Sequence, residues 1–145
     1  MLKIRIVCVG KLKEDYLRAG AAEYLKRLTR FASVEVRELA ERASLKEEAE
    51  EILRACRGRV IALAVEGKQR TSEGFASELK ACFDRGEELT FVIGSSCGLH
   101  ESVKARADGL LSFSEMTFPH QLMRVILLEQ LYRAFMINSG AEYHK

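Results

Sequence analysis

The sequence contains little that would suit a secreted, membrane-embedded or metal-dependent protein. It has one proline, no tryptophan and three histidines among 145 residues. No apolar run approaches the roughly 18 residues that a bilayer-spanning helix needs, and the first residues alternate in polarity, unlike a signal peptide. We therefore expect a cytoplasmic protein without a membrane span.

The four cysteines form no recognisable pattern. Cys8, Cys56, Cys82 and Cys97 include no C-x-x-C pair, and none lies at a metal-type spacing from a histidine. This scatter argues against a disulfide framework and against a zinc site. We expect free thiols, three of them in the core, and no bound metal ion.

Charge is too weak to identify a partner by itself. The formal net charge is +2, whereas a nucleic-acid-binding domain is usually more basic. Residues 1–70 carry 16 Lys and Arg against 11 Asp and Glu, and residues 71–145 carry 7 against 10. The first half could thus present a surface to phosphates, or its charges could belong to ordinary solvated helix faces.

Length and patterning predict a single domain, residues 1–145, in which strands and helices alternate. Apolar and β-branched stretches predict strands at 2–9, 33–39, 59–65, 89–93 and 110–113. Helical spacing predicts helices at 13–30, 44–57, from 71 or 72 onward, at 101–107 and from Pro119 onward. This order predicts a doubly wound α/β fold with a mostly parallel sheet and right-handed crossovers.

In such sheets ligands bind beyond the carboxyl ends of the strands, so three loops are of interest. The stretch 66–68 has the composition of a simple turn. The stretch 94–98 has two glycines that would let the backbone approach a ligand, but it matches neither the dinucleotide nor the phosphate-loop pattern. A nucleophilic role for Cys97 is an alternative, with only His100 nearby as a base.

The connection at 112–121 is unusually apolar. Phe113, Met116 and Phe118 stand where solvated loops are polar. The core, a ligand with an apolar body such as adenine, or a second subunit could each cover them. The last helix is apolar around more than one face, which indicates burial by its own sheet and by a partner.

Charged and aromatic residues at the C-terminal end allow two interpretations. Arg133 is either paired within the chain or free to meet a phosphate. Tyr143, His144 and Lys145 form either a frayed terminus or a group that stacks on a base, moves a proton and contacts a phosphate.

The C-terminal segment resembles a known family. The resemblance is carried by MTFPHQLMRVILLEQLYRAFMINSG and the closing YHK, and it extends to MLKIRIVCVGKLK, EYLKRL and FVIG. These stretches are similar to the ribosomal RNA large subunit methyltransferase H family of the SPOUT superfamily. The resemblance implies a C-terminal trefoil knot and a homodimer.

The resemblance also implies an activity and a site. Members methylate N3 of a pseudouridine in 23S ribosomal RNA, and the family points to the assembled ribosome as substrate. S-adenosylmethionine would be held by Leu63, Gly94, Phe113, Ser114, Glu115, Met116, Thr117 and Phe118. His144 would accept the proton, Tyr143 would lie near the target base, and Arg133 or Lys145 would contact RNA.

The match has departures and leaves two other classes open. Many relatives have glycine where this chain has Ser95 and an acidic residue where it has Cys97, and arginine is common at the position of Lys145. A nonenzymatic ribosome-binding α/β module would keep the surface without the transfer step. A flavodoxin-like protein would instead bind flavin.

Overall fold

Five strands and five helices alternate in the computed structural model, which describes residues 1–144. The strands are β1 (Leu2–Val9), β2 (Ala32–Leu39), β3 (Arg59–Gln69), β4 (Leu89–Ile93) and β5 (Gly109–Ser112). The helices are α1 (Asp15–Leu28), α2 (Leu45–Ala55), α3 (Ser72–Asp84), α4 (Glu101–Arg106) and α5 (His120–Asn138).

All strands pair in parallel in one sheet, in the order β2-β1-β4-β3-β5. Helix α5 packs between α1 and α3, while α2 packs beside α4. Two apolar cores result, because alternate strand residues face opposite sides: Phe91 belongs to the α1, α3 and α5 side and Val92 to the α2 and α4 side. The predicted α/β fold with helices on both faces is confirmed.

Local signals at the helix starts agree with the structure. Ser44 Oγ accepts a hydrogen bond from the Glu47 amide, and Thr71 Oγ1 accepts one from the Gly74 amide. Pro119 caps α5, which begins one residue later at His120. In the described chain, no helix combines the length and apolar character that crossing a membrane requires.

The third strand is longer than the pattern predicts. Residues 66–68, which have the composition of a turn, belong to β3. The strand continues because its second half finds a partner: Leu111 of β5 pairs with Leu63 and, after a register shift, with Lys68. The interpretation of 66–68 as a turn is therefore wrong. The trefoil knot stays a prediction.

Gly67 allows this close passage of β3 past β5. A Cβ atom at Gly67 would lie 2.6 Å from the Leu110 carbonyl carbon and 2.8 Å from the Leu111 nitrogen, so backbone would have to move. We expect Gly67→Ala to lower the free energy of unfolding by roughly 1–3 kcal/mol. Denaturant unfolding measures this value.

Gly109→Ala is the matched control, because a Cβ atom at Gly109 meets nothing within 4 Å. It lies in β5, the strand that passes Gly67, and we expect its stability to stay within about 0.5 kcal/mol of the parent. Equal effects of the two substitutions would contradict the close-passage explanation.

The cysteines behave as free thiols. Cys8, Cys56 and Cys82 are buried and Cys97 is exposed, as the composition predicts. Burial raises the pKa of the Cys8 thiol to about 11. This thiol is therefore protonated and unreactive at neutral pH.

Candidate active site

A cavity of about 540 Å³ opens at the carboxyl edge of the sheet. The middle of β3, the ends of β4 and β5 and the start of α5 form it, at the edge where ligands bind in open parallel sheets. The family resemblance assigns eight residues to the cofactor. Seven of them line this cavity: Leu63, Gly94, Phe113, Ser114, Met116, Thr117 and Phe118. Glu115 is exposed and does not line the cavity.

The walls are mainly apolar with a charged rim. Leu63, Ile93 and Phe118 contribute apolar surface, and Lys104 at the rim lies 2.6 Å from the Glu66 carboxylate. Lys104 lowers the pKa of Glu66, so this carboxyl is charged at neutral pH. The size and the lining suit a ligand of a few hundred Å³ with an apolar body and some polar groups.

Short hydrogen bonds shape the connection between β5 and α5. Ser112 Oγ donates to the Ser114 carbonyl at 2.9 Å, and Ser114 Oγ accepts from the Met116 amide at 3.0 Å. Phe113 is half-buried against the core, whereas Met116 is 73% exposed. The core thus covers only part of this apolar stretch, and the cavity borders the rest.

Gly94 lets two backbone segments meet at the cavity wall. A Cβ atom there would lie 2.5 Å from the Gly98 carbonyl oxygen. Gly98 has φ of +86°, in the left-handed region that favours glycine, and its amide donates to the Ser95 carbonyl at 2.9 Å. Both glycines are required by a tight turn, and this turn forms one wall of the cavity.

His120 is a cavity residue that the pattern analysis did not select. Its Nε2 atom is buried and has no hydrogen-bond partner among residues 1–144. A buried polar atom without a partner is costly, so this nitrogen is suited to a polar atom of a bound molecule. The available signal was its position directly after Pro119, beside the stretch 113–118. Lys104 and Glu66 gave no comparable signal.

The C-terminal tail docks on α5 and α3 of the same chain. Tyr143 Oη donates to Glu129 at 2.9 Å, and its ring packs 4.9 Å from that of Tyr132 and 4.8 Å from the Arg133 guanidinium. Burial, followed by the hydrogen bond to Glu129, raises the pKa of Tyr143. The phenol is therefore protonated at neutral pH.

Both ring nitrogens of His144 are engaged. Arg133 Nη1 lies 3.1 Å from Nδ1, and Glu73 Oε1 lies 2.7 Å from Nε2. A guanidinium only donates hydrogen bonds, so Nδ1 is the acceptor. The N–H group is then at Nε2, and it donates a hydrogen bond to Glu73. Arg133 also makes two hydrogen bonds to Glu129, at 2.6 and 3.3 Å. In this position neither ring nitrogen of His144 is free to contact another molecule.

The tail and the cavity are separated within one chain. Met123 lines the cavity, while Arg133 holds the tail ten residues farther along α5, about 15 Å at the helical rise. The structure therefore brings Arg133, Tyr143 and His144 together but does not bring them to the cavity of their own chain. Lys145, predicted to contact RNA, lies outside the described residues.

Among residues 1–144, no hydrogen bond joins the Cys97 thiol to a base. His100 instead uses Nδ1 to accept the Ser102 amide hydrogen and caps α4. Over the described range, no three His, Cys, Asp or Glu side chains cluster in a way that could hold a metal ion. The geometry gives no support to covalent catalysis at Cys97.

Comparison with known proteins identifies the family. A family model described as "Predicted SPOUT methyltransferase" matches residues 2–144. The chain belongs to the SPOUT methyltransferase family. The ribosomal RNA large subunit methyltransferase H of Streptococcus uberis is 49% identical over 99% of this chain and all of its own length. That of Lactobacillus delbrueckii subsp. bulgaricus is 48% identical over the same shares. The resemblance to this methyltransferase H family is confirmed.

Two solved structures of methylase family proteins share the fold at low sequence identity. A methylase family protein from Neisseria gonorrhoeae superimposes with a TM-score of 0.57 and 13% identity, covering 98% of this chain and 86% of its own. A methylase family protein from Haemophilus influenzae gives 0.54 and 12%, covering 94% and 66%. These two structures agree with the α/β architecture of the methyltransferase described above.

Proposed function

We propose that this methyltransferase transfers a methyl group from S-adenosylmethionine to N3 of a pseudouridine in 23S ribosomal RNA, acting on the ribosome in the cytoplasm. The observation that carries the proposal is the cavity at the strand ends, whose lining includes seven of the eight residues that the family resemblance assigns to the cofactor. The names of relatives nearly half identical to this chain over its full length support the choice of ribosomal RNA.

The residues present fit S-adenosylmethionine. Leu63, Phe113 and Phe118 offer apolar surface to an adenine ring, and the Gly94 turn presents backbone without an intervening side chain. His120 Nε2 offers a buried hydrogen-bonding atom to a polar group of the bound molecule. When bound, the cofactor supplies an electrophilic methyl group.

The tail would supply the proton chemistry. Loss of the N3 proton requires an acceptor, and His144 is the proposed one, with Tyr143 near the base and Arg133 toward RNA phosphate. His144 must first leave Arg133, because Nδ1, the ring nitrogen without a proton, is engaged by Arg133 in the docked tail. Binding of the anionic RNA backbone, which competes for Arg133, is a physical reason for this release.

A homodimer would bring the tail to a cavity. Tyr16 is 71% exposed, Leu122 is 37% exposed, and Met116 is exposed beside the cavity. Tyr16 lies on α1 and Leu122 lies on α5. These two helices start close together, because the Lys13 amide just before α1 donates to Gln121 Oε1 at 3.2 Å. Uncovered apolar side chains of this kind are typical of a subunit interface. We propose that a second copy covers them and places its tail at the cavity.

Two measurements test the proposed function. Calorimetry with S-adenosylmethionine is expected to give saturable binding with one site per chain. Mass mapping of ribosomal RNA from cells with and without the gene is expected to differ by one methyl group on a large-subunit pseudouridine. Restoring the gene with Gly94→Val, which fills the tight turn, is expected to leave that methyl group missing.

The alternatives predict different results. A nonenzymatic ribosome-binding module would bind ribosomes without binding S-adenosylmethionine, and the two RNA maps would be identical. A flavodoxin-like protein would carry flavin absorbance after purification. Saturable binding together with an unchanged RNA map would contradict the proposed substrate but not the cofactor.

A further inference from the structure

A buried carboxylate lies behind the wall of the cavity formed by residues 94–98. Glu48 of α2 is only 6% exposed. Its Oε1 accepts a hydrogen bond from Ser95 Oγ at 3.1 Å, and its Oε2 accepts one from the Arg42 amide at 3.1 Å. No ion pair to it is found within the described residues, and its two hydrogen bonds together with its place in the first turn of α2 offset the burial of the carboxylate.

Ser95 connects the Glu48 carboxylate to the turn formed by residues 94–98. Its Oγ also accepts from the Cys97 amide at 3.3 Å, and its carbonyl accepts from the Gly98 amide at 2.9 Å. The Ser95 side chain thus connects the carboxylate to the Cys97 amide, while the Ser95 backbone carbonyl closes the turn at Gly98. A glycine at this position could not make the connection, because it has no hydroxyl.

The turn has little freedom to move independently of this link. Gly94 already packs so closely on the Gly98 carbonyl that no Cβ atom fits between them. Gly94, Ser95 and Gly98 all line the cavity, whereas Glu48 does not. A shift of Ser95 would therefore change the shape of the cavity wall, while Glu48 would act on it only through the hydroxyl.

We propose that Glu48 is a positioning residue for S-adenosylmethionine: through Ser95 Oγ it holds the 94–98 turn in the conformation that the cofactor contacts. The inference rests on the proposed function, since it concerns the same cavity. Glu48 does not line the cavity, so its action on the cofactor is indirect. Its contribution is a preformed turn, which reduces the ordering that binding would otherwise require.

The test measures binding and local order separately. Ser95→Ala is expected to raise the Kd for S-adenosylmethionine about 10-fold, the effect of losing one hydrogen bond to a charged group. Hydrogen exchange of the Cys97 amide is expected to become faster in the ligand-free protein. Glu48→Gln keeps one acceptor for Ser95 and should weaken binding less. The double variant should bind no worse than Ser95→Ala, because both changes break the same link.

Thr90→Val is the matched control. Thr90 lies at the other end of β4, is fully buried, and bridges the Arg57 amide and carbonyl through its hydroxyl at 3.0 and 2.6 Å. Its replacement removes two hydrogen bonds, as Ser95→Ala does, but far from the cavity. We expect a lower Tm with an unchanged Kd.

Three outcomes would overturn the inference. Ser95→Ala could lower Tm with an unchanged Kd and unchanged Cys97 exchange, as expected for Thr90→Val. The effects of Glu48→Gln and Ser95→Ala on Kd could multiply in the double variant. The unsubstituted protein could fail to bind S-adenosylmethionine, which would overturn the proposed function as well, whereas the first two outcomes leave that function standing.

Discussion

Mixed dimers of two inactive chains are expected to recover about a quarter of the parental methyl-transfer rate. One chain lacks residues 141–145, and the other carries Gly94→Val. At equal mixing half of the dimers contain both chains, and each of these has one cavity intact and one tail able to serve it. Recovery of this size requires the tail of one chain to act at the cavity of its partner.

The reason is the separation of tail and cavity along α5. Tyr143 and His144 are held by Glu129, Arg133 and Glu73, and Arg133 lies ten residues along α5 from Met123 at the cavity wall, about 15 Å at the helical rise. A proton acceptor must come within hydrogen-bond reach of its substrate, so we expect the tail to serve the cavity of a second copy.

Methyl transfer to ribosomal RNA, measured with labelled S-adenosylmethionine, checks the expectation. Each variant measured as its own homodimer is the control, and we expect tail removal to lower the rate by roughly 100- to 10,000-fold, the range for loss of a general base. No recovery on mixing would mean that each site is built within one chain. Full activity of His144→Ala across the pH range would remove the proton-acceptor role from this residue.

Arg124→Met is expected to lower the free energy of unfolding by about 2–4 kcal/mol, the largest effect on stability that we predict, because two charge-assisted hydrogen bonds are lost. Arg124 is 2% exposed on α5, and its guanidinium donates to Glu38 at 2.5 Å and to the Gly10 carbonyl at 2.9 Å. The substitution keeps most of the apolar volume but removes the Arg124 donor from the Gly10 carbonyl and leaves Glu38, which is 35% exposed, with the Leu12 amide at 3.4 Å and solvent.

Arg106→Met is the matched control, because it removes an exposed arginine instead of a buried one. Arg106 pairs with Asp108, and both side chains are more than two-fifths exposed, so we expect a loss below about 1 kcal/mol. Adding Glu38→Gln to Arg124→Met should restore part of the stability, because it removes the uncompensated charge. Urea unfolding measures all of these variants. Equal losses for Arg124→Met and Arg106→Met would contradict the role of burial.

Most strands and helices could be predicted because their signals are local. The alternating residues of β1, the apolar run of β4 and the Ser44 cap each act within a few residues of the chain. The second half of β3 could not be predicted, since it is polar and exposed and its partner, β5, lies some forty residues later. Propensity contains no information about such a pairing.

The candidate site was predictable in part for the same reason. Cavity residues in one continuous stretch, 113–118, stand out as an apolar connection, and Gly94 stands out as a loop glycine after a strand. His120 could be identified as a site residue only from the structure, in which its Nε2 atom is buried and has no hydrogen-bond partner among residues 1–144. Glu48 gave no signal at all, because it reads as one of several acidic residues on an amphipathic helix.

By itself, the sequence determined the alternating α/β order and the methyltransferase family, because periodicity and a long C-terminal signature are both properties of the chain alone. Only the tertiary structure decided that the apolar connection borders a cavity, that Glu48 supports its wall, and that His144 docks away from it. These are contacts between residues tens of positions apart, and such contacts depend on how the strands are ordered in the sheet and how the helices cover it.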